Sequence, residues 1–241
     1  MYQNDTQFHA KFFGKYGKLL AKTSVDFNIN GVLYHRSTDE NGIATLNINL
    51  RPGNYILTAY NNVTGEELGF NIVVKSLIVA SNLTKYYNNT SDFQATIYDK
   101  DGSLAVNKTV RFNINGVFYE RNTTENGVVS LAINLRPGDY VITTMVDGLD
   151  VSNCVKVLPT LITNDLSMTY HDGSKFSAVV LDGEGNPLVN QNVSFNVNGV
   201  LYNKVSNNDG VASLNINLNS GKYIITSIWG DYQVGNKITI S

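Results

Sequence analysis

Three features of this sequence predict an all-β chain of tandem two-layer sandwiches. One long segment is written three times, apolar residues alternate with a period of two, and Asn-Gly turns punctuate the alternation. The clearest repeat is Val25–Tyr34, which returns as Val110–Tyr119 and again as Val193–Tyr202, at offsets of 85 and 83 residues. Solenoid units of roughly 20–50 residues cannot bury a core alone, whereas a repeat of about 84 residues is near the size of a small independent domain. The expected boundaries are therefore 1–75, 76–158 and 159–241.

Each element follows from local pattern. In the second copy Phe93–Tyr98 alternates apolar and polar residues, as a half-buried strand does, and a turn follows at Asp99-Lys100-Asp101-Gly102. Val110, Phe112 and Ile114 then share a face, Asn115-Gly116 turns, and Val117 and Tyr119 continue it. A two-residue Asn-Gly loop favours the type I′ turn, which needs positive φ at both positions. That register sets Ile114 opposite Val117 and Phe112 opposite Tyr119. The same pairs, Asn30-Gly31 and Asn198-Gly199, stand in the other copies. After a second turn at Glu125-Asn126-Gly127, Val129, Leu131, Ile133 and Leu135 point inward. Then Arg136-Pro137-Gly138-Asp139-Tyr140 matches Arg51–Tyr55 and, more loosely, Asn219–Tyr223. A Leu, a tight turn and a Tyr opening the next strand is the pattern of a tyrosine corner, in which the phenol bonds upstream backbone in an immunoglobulin-like sandwich. Tyr55, Tyr140 and Tyr223 are assigned that role. Strands over Tyr140–Val146 and Val151–Leu158 bring the total to about seven per copy.

The fold class is thus all-β, three tandem immunoglobulin-like β-sandwich domains. The first is expected to lack its initial strand, because nothing precedes Tyr2 in the place of Leu77-Ile78-Val79 or Leu161-Ile162. The junctions Val73–Leu77 and Val155–Thr160 hold no Gly/Ser run and read as short, semi-stiff connections. At about 3.3 Å per strand residue, modules roughly 30–40 Å long would form a rod. Tyr2, Tyr87 and Tyr170 share one register and are expected to pack against the preceding module and limit bending.

Composition narrows the function. With 18 basic and 20 acidic residues the net charge is -2, which gives no electrostatic reason to expect nucleic acid or an anionic membrane as partner. Solubility rests on neutral polar groups, Asn being about one residue in seven. No apolar run approaches the roughly 20 residues of a membrane span, so direct insertion is not expected. The first residues are no signal peptide. Cys154 is alone, so no intradomain disulfide forms, and a small strand residue outweighs a nucleophile there.

Catalysis needs a nucleophile, a base and an orienter brought together, and His9, His35 and His171 each stand at a position the other copies fill differently. No enzyme activity and no catalytic, cofactor or metal residues are expected. Calcium is the one ion to weigh, since Asp99 and Asp101 match Asp182 and Glu184, but turn carboxylates accepting backbone hydrogen bonds are the stronger reading. A Lys–Asn crosslink finds no support, because Lys22 and Lys108 share no register with another lysine. Trp229 and Tyr232, at the last strand-to-strand turn of the third copy, are the first candidates for a ligand contact. An edge or junction role is the plainer alternative. Eight N-x-S/T sequons, Asn4, Asn62, Asn82, Asn88, Asn89, Asn107, Asn122 and Asn192, are compatible with a glycosylated exterior.

The run N-G-V-x-Y, then E-N-G-[VI], then L-x-I-N-L-R-P-G-x-Y-x-[IL]-T, resembles the bacterial Ig-like (Big) repeats of adhesin-like surface proteins of methanogenic archaea. The third copy departs from it with Asn219-Ser220 for Arg-Pro and Asn207-Asn208-Asp209-Gly210 in the second turn. The resemblance implies an extracellular, cell-surface location and a semi-rigid stalk that also offers an adhesion surface. Its partner would be a glycan or protein of another cell. The alternative is a glycan-binding or accessory module of a secreted polysaccharide-active enzyme.

Overall fold

The computed structural model describes residues 1–241, which form 22 strands and one short 3-10 turn at Lys15–Gly17. The first sandwich holds β1 (Gln7–Lys11), β2 (Ser24–Ile29), β3 (Val32–Ser37), β4 (Ile43–Asn47), β5 (Gly53–Asn61) and β6 (Glu66–Val74). The second holds β7 (Ile78–Ala80), β8 (Leu83–Tyr86), β9 (Asp92–Ile97), β10 (Thr109–Ile114), β11 (Val117–Asn122), β12 (Val128–Ala132), β13 (Gly138–Val146) and β14 (Leu149–Leu158). The third repeats this with β15 (Leu161–Thr163), β16 (Leu166–Met168), β17 (Lys175–Val180), β18 (Asn192–Val197), β19 (Val200–Val205), β20 (Val211–Asn215), β21 (Gly221–Trp229) and β22 (Tyr232–Ile240).

In the second sandwich a three-stranded sheet, β12-β9-β7, faces a five-stranded one, β11-β10-β13-β14-β8. The third has the same order, and the first has the sheets β1-β4 and β3-β2-β5-β6. All pairings are antiparallel except β8 with β14 and β16 with β22. Two mainly antiparallel sheets joined through a tyrosine corner make each unit an immunoglobulin-like sandwich. Strand alternation sends one set of side chains inward, and an edge-to-face phenylalanine pair bridges the sheets in every copy. The pairs are Phe8 with Phe27, Phe93 with Phe112 and Phe176 with Phe195, at centroid distances of 5.7, 6.1 and 5.7 Å.

Eight strands stand in the second and third sandwiches where about seven were expected. The opening segment divides: β7 pairs with β9, the chain crosses at Ser81-Asn82, and β8 joins β14 in the opposite sheet. Asn82 fixes the crossing by accepting the Cys154 amide at 2.9 Å, and Asp165 does the same for Lys237.

The hairpins have the expected register, with Phe112 opposite Tyr119 and Ile114 opposite Val117. The apolar face fades towards the tip, however, and Val117 is 50% exposed. The hairpin's outer strand, β11, is the edge of its sheet.

Candidate functional site

The ends where the second and third sandwiches meet bring aromatic, charged and amide side chains together. Because β8 runs parallel to β14, its last residues emerge at the end from which the chain enters the third sandwich. Tyr87 therefore faces the following module, and the expectation that it packs on the preceding one is corrected. Its ring lies 5.7 Å from that of Tyr232, and its hydroxyl donates to Asp231 at 3.0 Å. Desolvation pushes the Tyr87 phenol above its usual value, and the bond to Asp231 acts in the same direction. Arg136 reaches the same carboxylate at 3.2 Å, donates to the Asp231 carbonyl at 2.9 Å, and lies over the rings of Tyr87 and Tyr232. The amide of Asn89 donates to the Gly183 carbonyl at 2.8 Å.

Two glycines permit this approach. A Cβ on Gly183 would stand 3.0 Å from the backbone of Asn88 and Asn89, and one on Gly185 would stand 2.4 Å from the Tyr86 ring. The first joint is built differently. Gly148 and Leu149 stand where the third copy has Asp231 and Tyr232, so the first copy's Arg51 meets no carboxylate there. Met1 and Tyr2 instead pack on the second sandwich's core, in which Leu149 is buried. In both joints the connection itself is buried, at Leu77 and at Thr160.

Trp229 is half-buried against the third core, and Tyr232 faces the joint. The pair therefore makes no open aromatic platform. The turns of Asn30-Gly31, Asn115-Gly116 and Asn198-Gly199 have φ of 53 and 77, 53 and 77, and 52 and 83°. Tyr55, Tyr140 and Tyr223 donate to the carbonyls of Arg51, Arg136 and Asn219 at 2.7, 2.7 and 2.8 Å.

His9 meets Thr45 at 2.9 Å, His35 meets Asp26, and His171 meets the ring of Tyr170 edge to face, so the three histidines lie apart from one another. Asp182 accepts the backbone and side-chain amides of Asn186, which hold its carboxyl below the usual range, and the Glu184 amide adds to this. Asp101 accepts from Ser103 and is lowered likewise. No group of three or more His, Cys, Asp or Glu is arranged to hold a metal ion. Lys108 pairs with Asp147 at 2.7 Å, and that bond raises its ammonium.

Sequence reasoning missed the polar half of the joint, because Asp231 and Gly183 occur in one copy only. It also missed a hydroxyl latch that repetition did mark. Thr38, Thr123 and Ser206 share a register, are buried, and donate to Leu20, Ala105 and Leu188. Each hydroxyl also accepts a backbone amide, from Thr23, Lys108 or Gln191, at 2.9 Å.

No family model and no curated protein matches the sequence. Among solved structures, the chain is similar to a titin I9–I11 tandem at 18% identity, covering 98% of this chain and 92% of that one, with a TM-score of 0.35. It is similar to invasin, a bacterial integrin-binding protein, at 20% identity and a TM-score of 0.29, spanning 100% of this chain and 58% of that one. A third is SGBP-B of a Bacteroides ovatus mixed-linkage glucan utilization locus, at 16% identity and a TM-score of 0.29, covering 99% and 64%. Scores this low tie the chain to none of these proteins' activities.

No helix is long and apolar enough to cross a membrane.

Proposed function

We propose that this chain is a non-enzymatic repeat segment of an extracellular, adhesin-like cell-surface protein. Its domains, 1–75, 76–158 and 159–241, serve as a semi-rigid stalk that also offers an adhesion surface to a glycan or protein of another cell. The Asn-Gly hairpins and the corner tyrosines keep each module in shape, and the resemblance to Big repeats supplies the cell-surface context.

The observation that carries the stalk reading is the joint between the second and third sandwiches. Tyr87, Asn89 and Arg136 on one side meet Asp231, Tyr232 and Gly183 on the other, and no free linker separates them. Exposed ion pairs are individually weak, about 0–1 kcal/mol. A constellation that combines stacking, ion pairing and backbone bonds resists bending in every direction, which one contact does not.

Small-angle scattering of the intact chain tests this. An extended particle with one maximum dimension, unchanged between low and high salt, is expected. A distribution broad enough to need freely reorienting modules would remove the stalk reading. Adhesion is tested separately, by retention of the labelled chain on whole cells.

A further inference from the structure

The three hairpins end in edge strands of equal length and unequal chemistry. β3, β11 and β19 each lie at the rim of the larger sheet of their sandwich. Residues next to a two-residue hairpin turn form a hydrogen-bonded pair, and such pairs alternate along the ladder. The amides and carbonyls of Leu201, Asn203 and Val205 therefore point away from β18, to solvent. In β3 and β11 the same edge is guarded. Arg36 donates to the His35 carbonyl at 2.8 Å and Arg121 to the Glu120 carbonyl at 2.7 Å, so a guanidinium of the strand itself occupies the middle acceptor. Arg111 also covers the Phe118 ring, 3.9 Å from its centroid. The third copy has Lys204 in the place of Arg121 and Ser194 in the place of Arg111, and the Asn203 carbonyl is left open. Every residue of β19 is exposed, Leu201 to 59% and Val205 to 61%. Sandwiches blunt their edges to avoid pairing with other chains, and β19 carries one charge and no such cap.

We propose that β19 is a self-pairing edge: two copies of this chain join antiparallel through Val200–Val205, and their larger sheets become one. A two-fold axis at Asn203 sets Leu201 opposite the second copy's Val205, and Asn203 opposite its own counterpart. These are the residues whose backbone groups point outward, so each pair exchanges two hydrogen bonds. On the outer face an apolar pair stands on either side of the asparagines. On the inner face Lys204 lies opposite the second copy's Tyr202, and its ammonium meets a ring rather than a like charge. Ladder hydrogen bonds supply the affinity of such an added strand, and the alternate side chains supply its specificity. The other two edges do not fit a second copy in this way. The same register in β11 sets Glu120 against Glu120 and has to displace Arg121, and in β3 it sets His35 against His35 and has to displace Arg36. The contact is lateral and leaves the module ends free, so it does not rest on the stalk reading.

Sedimentation of the intact chain between ~10 µM and ~1 mM, the range of a small edge contact, tests this. A monomer-to-dimer equilibrium is expected, with hydrogen-exchange protection of the Leu201, Asn203 and Val205 amides that grows with concentration. The double variant Asn203→Glu with Lys204→Arg gives β19 the guard of β11, where both residues already stand on a folded edge. It should weaken association at least ~tenfold, because two carboxylates then face each other across the axis. Thermal unfolding of the third sandwich should stay as it was. Should the variant fail to fold, the location of the protected amides in the wild-type chain still decides. A chain that remains monomeric at ~1 mM, a folded double variant that associates as strongly as the wild type, or protection centred on β3, β11 or the module ends would each overturn the proposal.

Discussion

Single hydroxyls separate two kinds of buried polar atom in this chain. The Thr123 hydroxyl donates to Ala105 at 2.6 Å and accepts from Lys108, so its loss orphans two backbone groups. Thr123→Val should therefore destabilise the second sandwich by about 1–3 kcal/mol, and Thr123→Ser by much less. The Thr144 hydroxyl lies deeper still and has no partner, and the first copy has Ala59 in that place. Thr144→Val should be neutral or stabilising by up to ~1 kcal/mol, because nothing is orphaned and an unpaired polar group leaves the core. Urea unfolding of the second sandwich, followed by its own amide signals, distinguishes the two. Equal effects of both substitutions would mean the latch contributes nothing.

Lys85 carries the opposite chemistry. Its ammonium is buried and donates to the Ser91 and Ile133 carbonyls, both at 2.9 Å, and desolvation lowers its pKa while Asp92 partly opposes the shift. A lysine lowered in the folded state is harder to protonate there than in the unfolded chain. Its penalty is fully present below the folded value and fades as the pH rises from there towards the ordinary lysine value. The second sandwich should accordingly gain stability across that alkaline window. Lys85→Met, which reproduces the third copy's buried Met168, should flatten the gain. An identical pH slope in wild type and variant, in denaturant titrations below the range where tyrosines ionise, would refute this.

At the scale of elements, turns hold the strands in register, and two glycines with similar φ should respond differently to a methyl group. Gly116, at the hairpin tip, has φ 77° and open space where a Cβ would go. Gly127 has φ 66°, and its Cβ would lie 2.9 Å from the Ile97 carbonyl oxygen and 3.1 Å from Leu104. Gly116→Ala should cost only the left-handed conformation, about 1–2 kcal/mol. Gly127→Ala adds a clash with backbone and should cost distinctly more. Thermal unfolding of the two variants side by side checks the ranking.

The hairpin was legible because its two signals, alternation and Asn-Gly, are local and written three times. The corner was legible because Leu, a Gly turn and Tyr lie within six residues of one another. The crossing between β7 and β8 was not, since only Leu77-Ile78-Val79 reads as an apolar segment and Thr84 and Lys85 hide the strand at Leu83–Tyr86. The acceptor at the crossing, Asn82, finds its partner at Cys154, 72 residues away. The direction in which Tyr87 faces was hidden for a related reason. It follows from the parallel pairing of β8 with β14, which periodicity does not express. The half-burial of Phe8 and Ile72 needed coordinates, because both stand in the same alternating register as their fully buried counterparts Phe93 and Val157.

For the whole molecule, the three cores are unequal: 17 buried residues in the second, 14 in the third and 8 in the first. Burial of apolar side chains is the main favourable term in folding, so the first sandwich should unfold at the lowest temperature and ahead of a separate transition of the other two. The joints should differ as well. Gly183 has an ordinary backbone conformation, so Gly183→Ala strains nothing within the third sandwich, yet its Cβ would stand 3.0 Å from the backbone of Asn88 and Asn89. The second copy has Lys100 at the corresponding position, which shows that the turn itself accepts a side chain. Gly183→Ala should therefore leave the third sandwich's unfolding unchanged while breaking the bond from Asn89 and drawing Tyr87 and Arg136 off Asp231. Scattering should then show a broader range of particle dimensions, and residual dipolar couplings should report independent motion of the last module. Asp231→Ala removes the acceptor of Tyr87 and Arg136 without altering the close approach and should loosen the joint less. Should Gly183→Ala leave the relative orientation of the modules untouched, the joint would be a contact of convenience and stiffness would have to come from the buried connection at Thr160.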